Sequence, residues 1–311
     1  MNQGYDFVPL PPAVDRKPRG PGSRSGVLTF ALQTLQPVHI GAGSKRLVDE
    51  TIVRETARAS GELVIPGSTI KGALRARFEA ITRSCMVITS KSQSAVRSRS
   101  REHVKSAKLV GSVVRTLEDF KACDKSRPCP ACALFGCMSL RSRIDTADLR
   151  LVRPTDPGLH NLPQQFEPRL HHIGSAKVDE TGRAPFFAVT SLHGRKFAQE
   201  PGLREGNARE QRVEVIPAKS DLRGEVYFHA LHDDELGGIL AALGSEPQSP
   251  LKLGAGKCHG FGLVQVDSVS VALRGAAAED GAVISACARA FQEKLAVVPN
   301  LQKLRAIHRS G

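Results

Sequence analysis

Two glycine-bearing segments, far apart in the chain, constrain the fold more than any other feature of the sequence. The first is residues 65–75, IPGSTIKGALR, and the second is residues 253–262, LGAGKCHGFG. Glycine has no Cβ, so its backbone can turn sharply and approach another group closely. Both segments also carry basic side chains. The pair therefore predicts one composite surface that binds a nucleic-acid backbone through its phosphates.

The charge balance of the chain favours the same kind of partner. Its 311 residues include 44 Lys and Arg against 31 Asp and Glu, a formal net charge of +13. Such an excess attracts polyanions, although a protein that is merely basic is the alternative. Because 41% of the residues are apolar, the chain can build a sizeable core and is not expected to be disordered.

The ends of the chain and its cysteines indicate the compartment. No apolar stretch approaches the roughly 20 residues that a membrane helix needs, and residues 1–26 lack the apolar core of a signal peptide. Residues 1–26 are rich in Pro, Gly and Arg and are predicted to form a flexible basic arm. We expect a cytoplasmic protein with no membrane partner, whose seven cysteines stay reduced or bind metal.

Hydrophobic periodicity predicts a chain that mixes helices and strands. Strand patterns cover residues 27–40, 224–231 and 262–273, and helical patterns cover residues 68–81, 233–243 and 282–295. This order predicts an α+β fold with a ferredoxin-like βαββαβ core that spans residues 27–311. Two polar stretches, residues 85–137 and about 160–210, are predicted to be large insertions in that core.

The first glycine-bearing segment predicts a helix whose start faces a phosphate. Ser68 is expected to cap the helix, and Lys71 and Arg75 lie one turn apart on one face. Two cations and the positive end of the helix dipole would then lie close together, which suits an anion. A plain amphipathic helix with solvated charges is the alternative.

Closely spaced cysteines predict a structural zinc site in the first insertion. Zinc prefers four thiolate or imidazole ligands in a tetrahedral arrangement, and a polar insertion gains folding free energy from metal binding. Three ligands are predicted to be Cys123, Cys129 and Cys132. The fourth is expected to be His103 or Cys85, which would tie the two limbs of the insertion together, and Cys137 is a less favoured candidate. Four reduced cysteines without metal are the alternative.

Four motifs in a fixed order resemble a known family. They are HIGAG at residues 39–43, IPGSTIKG at 65–72, CPACALFG at 129–136 and the glycine-rich run at 254–262. Together they resemble the RAMP superfamily of CRISPR effector proteins. Within it, the chain is most similar to the backbone subunit of type III (Csm/Cmr-like) complexes.

That resemblance implies a fold, a set of partners and a role. Backbone subunits have a modified RRM fold, polymerise along a guide CRISPR RNA and bind single-stranded target RNA beside copies of themselves and other effector subunits. A β-hairpin thumb, here expected within residues 160–210, kinks the guide–target duplex. The RNA contacts implied by the motifs are Gly41, Gly43, Gly67, Ser68, Lys71, Arg75, Gly254, Gly256, Lys257, His259 and Gly260.

The resemblance also implies a catalytic residue. Asp49 lies where the family places an aspartate that promotes cleavage of target RNA, on a loop after the first strand. The implied reaction is attack by the RNA 2′-hydroxyl on the adjacent phosphate, with Asp49 removing a proton or binding a divalent metal such as Mg²⁺. Two alternatives stay open: a non-cleaving structural subunit of the same complex, and a guide-processing endoribonuclease of the same superfamily.

Overall fold

The computed structural model describes residues 4–11, 13–86, 123–164, 174–179, 186–199, 202–207, 211–245, 249–275 and 280–309. Its strands are β1 (Tyr5–Val8), β2 (Arg24–Thr34), β3 (Gly41–Val48), β4 (Thr51–Thr56), β5 (Arg58–Ala59), β6 (Glu62–Ile65), β7 (Ile144–Thr146), β8 (Leu149–Leu151), β9 (Gly158–Leu162), β10 (Gly174–Asp179), β11 (Phe186–Leu192), β12 (Arg195–Ala198), β13 (Gln211–Val215), β14 (Asp221–Leu231), β15 (Leu251–Lys252) and β16 (Leu263–Leu273). Its α-helices are α1 (Gly67–Ile81), α2 (Pro130–Phe135), α3 (Asp233–Leu243), α4 (Asp280–Lys294) and α5 (Val298–Arg309).

An eight-stranded antiparallel sheet forms the centre of the molecule. Its strands follow the order β15-β16-β2-β14-β8-β6-β5, and β7 pairs with β14 off this path. In β2, Leu28, Phe30 and Leu32 are buried while the residues between them are partly exposed, which is the alternation of a strand with one covered face. The predicted α+β class is confirmed, and the sheet is compatible with a ferredoxin-like fold.

The helices cover this sheet through one apolar core. Leu74 and Phe78 of α1 belong to the same buried cluster as Phe30 of β2 and Leu236 of α3. Helix α3 also approaches α4 closely, since a Cβ on Gly237 would lie 2.0 Å from the carbonyl oxygen of Cys287. Packing of their apolar faces on the sheet thus stabilises the long predicted helices.

A second sheet carries a hairpin that was predicted to be a loop. Its strand order is β3-β4-β13-β9. Strands β3 and β4 form an antiparallel hairpin, and Asp49 and Glu50 alone make its turn. Both turn residues have positive φ, 46° and 62°, as a two-residue type I′ turn requires. The predicted loop that carries Asp49 is therefore almost entirely strand.

Two other predictions differ from the structure in detail, and one helix was not predicted. Helix α1 begins at Gly67, with Pro66 at its N-cap, so Ser68 lies inside the helix rather than capping it. Within the predicted arm at 1–26, β1 pairs with β12 and Val8 is fully buried, so this part of the arm packs on the rest of the chain. Helix α5 was not predicted, and its buried residues join a second apolar cluster with Phe291.

The two predicted insertions are described only in part. Residues 87–122 of the first lie outside the described residues, whereas α2 at its end belongs to the main apolar core. The second contains an antiparallel hairpin of β10 and β11, where a thumb was expected. Among the described residues, no helix combines the length and apolar character needed to cross a membrane.

Candidate RNA-binding cleft and cysteine cluster

The structure brings the two glycine-bearing segments together across one cleft. The cleft has a volume of about 300 Å³ and lies between the first turns of α1 and the segment that follows β15. Its wall includes Ser68 and Gly72 of α1, Gly254 of the second segment, and three lysines, Lys196, Lys252 and Lys257. The two predicted segments therefore line one groove.

The glycines of the second segment are required by the protein's own packing. Gly254 and Gly262 have positive φ, a conformation that favours glycine. A Cβ on Gly254 would lie 2.1 Å from the carbonyl oxygen of His39, and one on Gly262 would lie 1.9 Å from that of Leu253. His259 and Gly260 pack similarly against residues 202–204. These glycines allow the second segment to pack closely on the rest of the chain. That packing places Lys257 of the segment at the cleft.

Three ammonium groups give the cleft its positive charge. Lys257 lies exposed at the cleft, and desolvation by the surrounding protein lowers its pKa. A bound phosphate would stabilise the charged form and oppose that shift. Lys196 is exposed and its Nζ lies 4.1 Å from the centre of the Tyr5 ring, a cation–π contact that orients the side chain. Lys252 is largely buried in the wall.

A buried arginine fixes the two walls of the cleft to each other. Arg77 of α1 donates hydrogen bonds to the carbonyl oxygen of Pro250 at 2.7 Å and to Oγ of Ser249 at 2.8 Å. Burial lowers the pKa of its guanidinium to about 10. Since residues 249 and 250 immediately precede β15, this contact sets where Lys252 and Gly254 lie relative to α1.

Lys71 and Arg75 do not line the cleft. The ammonium of Lys71 donates to the carbonyl oxygen of Ile144 at 2.8 Å. Arg75 binds Glu79 at 2.8 Å and the carbonyl oxygen of Gly136 at 2.9 Å. Their helix face is turned toward β7 and α2, so both cations have partners inside the protein. The spacing of the two cations predicts that they share a face of α1. It does not predict which part of the chain that face contacts.

The start of α1 is also partly satisfied by the protein itself. The backbone N–H of Gly67 donates to Oδ1 of Asp148 at 2.8 Å. A Cβ on Gly67 would lie 2.1 Å from the carbonyl oxygen of Thr146, so this glycine is needed for packing. Ser68, one residue further on, is exposed at the cleft.

The hairpin of β3 and β4 carries the remaining predicted residues away from the cleft. Gly41 pairs with Thr56 at the base of the hairpin, and Gly43 has positive φ at a bulge in β3. Asp49 is exposed at the opposite end. Two arginines attach the hairpin to β13. The fully buried carboxylate of Glu214 accepts from Arg46 in the middle of the hairpin and from Arg58, just beyond its base.

Four buried cysteines form one compact cluster. They are Cys85, Cys123, Cys129 and Cys132, and their sulfur atoms all lie within 4.8 Å of one another. The Cys85 sulfur is 3.7 Å from that of Cys132 and 3.5 Å from that of Cys129. Zinc–sulfur bonds of about 2.3 Å place tetrahedral sulfurs about 3.8 Å apart, so the cluster fits a structural zinc ion.

The fourth position of this cluster is taken by Cys85, one of the alternatives to His103. His103 lies outside the described residues, and Cys137 lies outside the cluster. Hydrogen bonds from Cys123 and its neighbours lower the pKa of the Cys129 thiol, and the Arg75 guanidinium lies 3.6 Å from the Cys132 sulfur. The same shared hydrogen bonds raise the pKa of the Cys85 and Cys132 thiols, so the negative charge of the metal-free cluster is favoured on Cys129.

Two lysines of the cleft are not predicted by the sequence motifs. Lys196 and Lys252 were not singled out, although the run LKLGAGK places Lys252 immediately before the second segment. Lys196 lies in β12, far from either segment in the sequence. Strand β12 pairs with β1, and its Arg195 forms an ion pair with Glu79 of α1 at 2.7 Å, which places Lys196 beside the cleft.

Comparison with protein families identifies the class of this protein. The model of the RAMP superfamily matches residues 31–265, and the chain belongs to that superfamily. RAMP proteins function with CRISPR RNA in effector complexes, so membership indicates a CRISPR-associated RNA-binding subunit. A comparison with curated proteins found no match.

Proposed function

We infer that this chain is the guide-RNA-binding backbone subunit of a type III-like CRISPR effector complex, and that copies of it polymerise along the guide. The order β16-β2-β14-β8, with α1 between β2 and β8 and α3 between β14 and β16, supports a βαββαβ core of the modified RRM kind. The hairpin of β10 and β11 lies where that assignment expects a thumb.

The observation that carries this function is the lysine-lined cleft. It joins the start of α1 to the glycine-rich segment and gathers Lys196, Lys252 and Lys257 on its wall. Lysine binds phosphate as a point charge and carries no base preference. The cleft therefore suits the backbone of a guide whose sequence varies.

Binding of a guide-length single-stranded RNA to the purified protein tests this role. Changing Lys196 and Lys257 to Gln should weaken binding of all sequences alike, because both side chains would contact phosphates. The dependence of log affinity on log salt should become shallower by about 0.7 for each lysine removed. Lys294→Gln, an exposed lysine at the end of α4, is the charge-matched control. Equal losses in the control and the cleft variants would contradict the proposal.

We further propose that the subunit cleaves target RNA through Asp49. Asp49 and Glu50 occupy two consecutive left-handed positions where glycine would be favoured, and both are exposed. The hairpin turn accounts for these conformations, and it presents both carboxylates to the solvent at one point of the molecule. The turn can meet a separate RNA strand because both of its side chains are exposed.

The proposed reaction is an internal transesterification of the RNA. The 2′-hydroxyl oxygen attacks the adjacent phosphorus and the bond to the 5′-oxygen breaks. The departing 5′-oxygen takes a proton from water, so that a 2′,3′-cyclic phosphate and a 5′-hydroxyl result. Asp49 would accept the 2′-hydroxyl proton, and the splayed nucleotide aligns attacking and leaving oxygens. In the alternative in which Asp49 instead holds a divalent cation such as Mg²⁺, that cation would supply electrostatic stabilisation of the developing charge.

The cysteine cluster supports a separate structural proposal. We propose that Cys85, Cys123, Cys129 and Cys132 hold one zinc ion, which joins the end of α1 to α2. All four sulfurs are buried, and the sulfur donor set matches structural zinc sites. The ion would have no part in RNA cleavage.

A further inference from the structure

The hairpin of β3 and β4 has one face that the protein's own packing does not explain. Two cross-strand pairs lie on it, Lys45 opposite Arg54 and Leu47 opposite Ile52. Residues two apart in a strand share a face, so the four side chains form one patch, called here the outer face. Leu47 is 71% exposed and Ile52 63% exposed, and Lys45 and Arg54 are exposed as well.

The opposite face of the same hairpin packs on the rest of the protein at its centre. Arg46 donates to the buried carboxylate of Glu214 at 2.8 Å, and Val53, opposite Arg46, is completely buried. The register of the hairpin is therefore fixed by its inner face. Nothing in that register requires cations or large apolar side chains on the outer face.

The outer face is unfavourable for the isolated protein in two ways. Like charges directly opposite each other destabilise a pair of strands, and neither Lys45 nor Arg54 makes an ion pair with any described residue. Leu47 and Ile52 expose two large apolar side chains beside these charges. An anionic partner with a flat apolar surface would relieve both costs at once.

The outer face also continues toward the cleft. Val213 of β13 lies opposite Arg54 in the parallel ladder and so lies on the same side of the sheet. Val213 is buried against Phe261, a residue of the second glycine-bearing segment. The sheet face is thus covered by that segment at β13 and open at the hairpin, next to the turn that carries Asp49.

We propose that the outer face binds the single-stranded target RNA beside the point of cleavage. Lys45 and Arg54 would bind its phosphates, and Leu47 and Ile52 would pack against one base. This rests on the proposed function, since Asp49 at the same hairpin acts on the target strand. Charge favours RNA over a protein surface as the occupant, and the guide is held in the lysine-lined cleft instead.

Two paired variants of the assembled complex test this assignment. One changes Lys45 and Arg54 to Gln, and the other changes Leu47 and Ile52 to Thr, which keeps strand propensity. Each should weaken target binding about tenfold, roughly the loss of one good contact. Guide binding, measured before target is added, should stay within about twofold of wild type.

Controls separate this inference from the function on which it rests. Val152→Thr removes an exposed apolar side chain elsewhere and should leave both RNAs bound as before. The Lys45/Arg54 variant should melt no earlier than wild type, because it removes a like-charge pair. Equal loss of guide and target binding, or loss of subunit assembly with target binding intact, would overturn the outer-face proposal. Failure of the wild-type complex to bind guide would instead overturn the proposed function.

Discussion

Gly72 is a residue whose identity the fold alone does not require. It lies exposed in the interior of α1 on the wall of the cleft, and no described atom comes within 4 Å of the position of an added Cβ. Glycine at such a position costs about 0.5–1 kcal/mol relative to alanine. We expect Gly72→Ala to raise the free energy of unfolding by that amount and to lower RNA affinity, because the methyl group would enter the cleft.

Gly281→Ala is the matched control for the expected gain in stability and loss of RNA affinity. Gly281 is exposed near the start of α4, also with no described atom within 4 Å of an added Cβ. Its substitution should stabilise the protein and leave RNA binding unchanged. Urea unfolding and RNA titration of both variants measure the two quantities. A Gly72→Ala protein that binds RNA as well as wild type would place the RNA away from this wall.

Glu214 makes the stability of the hairpin's base depend on pH. Burial alone would raise its pKa, but hydrogen bonds from Arg58, the Thr56 N–H and Arg46 lower the pKa below its ordinary value. A carboxylate with a lowered folded-state pKa stabilises the fold above its unfolded pKa of about 4.3, and the stabilisation is lost as pH falls through the folded value.

Thermal unfolding between pH 7 and pH 3 of wild type and Glu214→Gln measures this contribution. The variant should be less stable at pH 7, because two arginines lose their buried anionic partner. It should also lose less stability than wild type on acidification. Glu62→Gln, whose side chain is 61% exposed, should follow the wild-type profile. Parallel acid profiles for wild type and Glu214→Gln would mean that Glu214 is not a carboxylate in the folded state.

Single residues differed in how far the sequence revealed their roles. The thiols of Cys123, Cys129 and Cys132 were identifiable because their spacing suits one ion, and they do lie together. The cations Lys71 and Arg75 were assigned to RNA because helical spacing places them on one face. In the structure that face contacts Ile144 and Gly136, a tertiary arrangement with no local signature in the sequence. The RNA contacts of the two side chains stay a prediction.

At the scale of elements, hydrophobic periodicity predicts a helix or strand correctly where the element buries one apolar face. Helix α3 (Asp233–Leu243) has the predicted bounds, since its apolar face meets the core and Gly244 ends it in a left-handed conformation. The hairpin of β3 and β4 is not predicted from the sequence because β3 is almost entirely exposed. A strand without a buried face leaves no alternation to detect.

The turn of this hairpin decides how Asp49 should be tested. Its φ of 46° is tolerated by asparagine far better than by alanine. Asp49→Asn therefore removes the carboxylate and preserves the turn. We expect target cleavage to fall at least about a hundredfold, the lower range for a positioned acid–base group, while guide and target binding stay unchanged. Single-turnover cleavage and binding by the assembled complex measure these effects.

Glu50→Gln is the control for Asp49→Asn, because it removes the other carboxylate of the same turn. Glu50 is the neighbouring exposed carboxylate, and its substitution should leave the cleavage rate within a few-fold of wild type. A complex that cleaves at the wild-type rate with Asp49→Asn would identify the chain as a structural subunit. Loss of cleavage in Glu50→Gln alone would move the catalytic role by one residue.

At the scale of the whole molecule, the cysteine cluster links parts of the chain that are distant in sequence. Cys85 follows α1, which forms a wall of the cleft, and Cys129 and Cys132 flank the start of α2 in the main core. The insertion was expected to need zinc in order to fold by itself. The cysteines instead lie in the core of the domain, so metal binding would stabilise the entire fold.

We therefore expect one zinc ion per chain and a cooperative loss of stability when it is removed. Metal content of the purified protein tests the stoichiometry. Unfolding with and without a strong chelator tests the linkage, because a ligand that binds only the folded state raises its stability. The melting temperature should fall, and RNA binding should weaken in parallel as α1 loses its attachment at Cys85.

Substitutions of single cysteines separate a metal site from a cluster of packed thiols. Cys85→Ser should abolish stoichiometric zinc, since a hydroxyl replaces one of four thiolate ligands. Cys137→Ser, near the cluster in sequence but outside it, should retain the ion. Should Cys85→Ser keep its zinc, the fourth ligand lies elsewhere and His103 becomes the residue to change. Should wild type bind no zinc while its four thiols titrate freely in the folded state, the cluster is apolar packing alone.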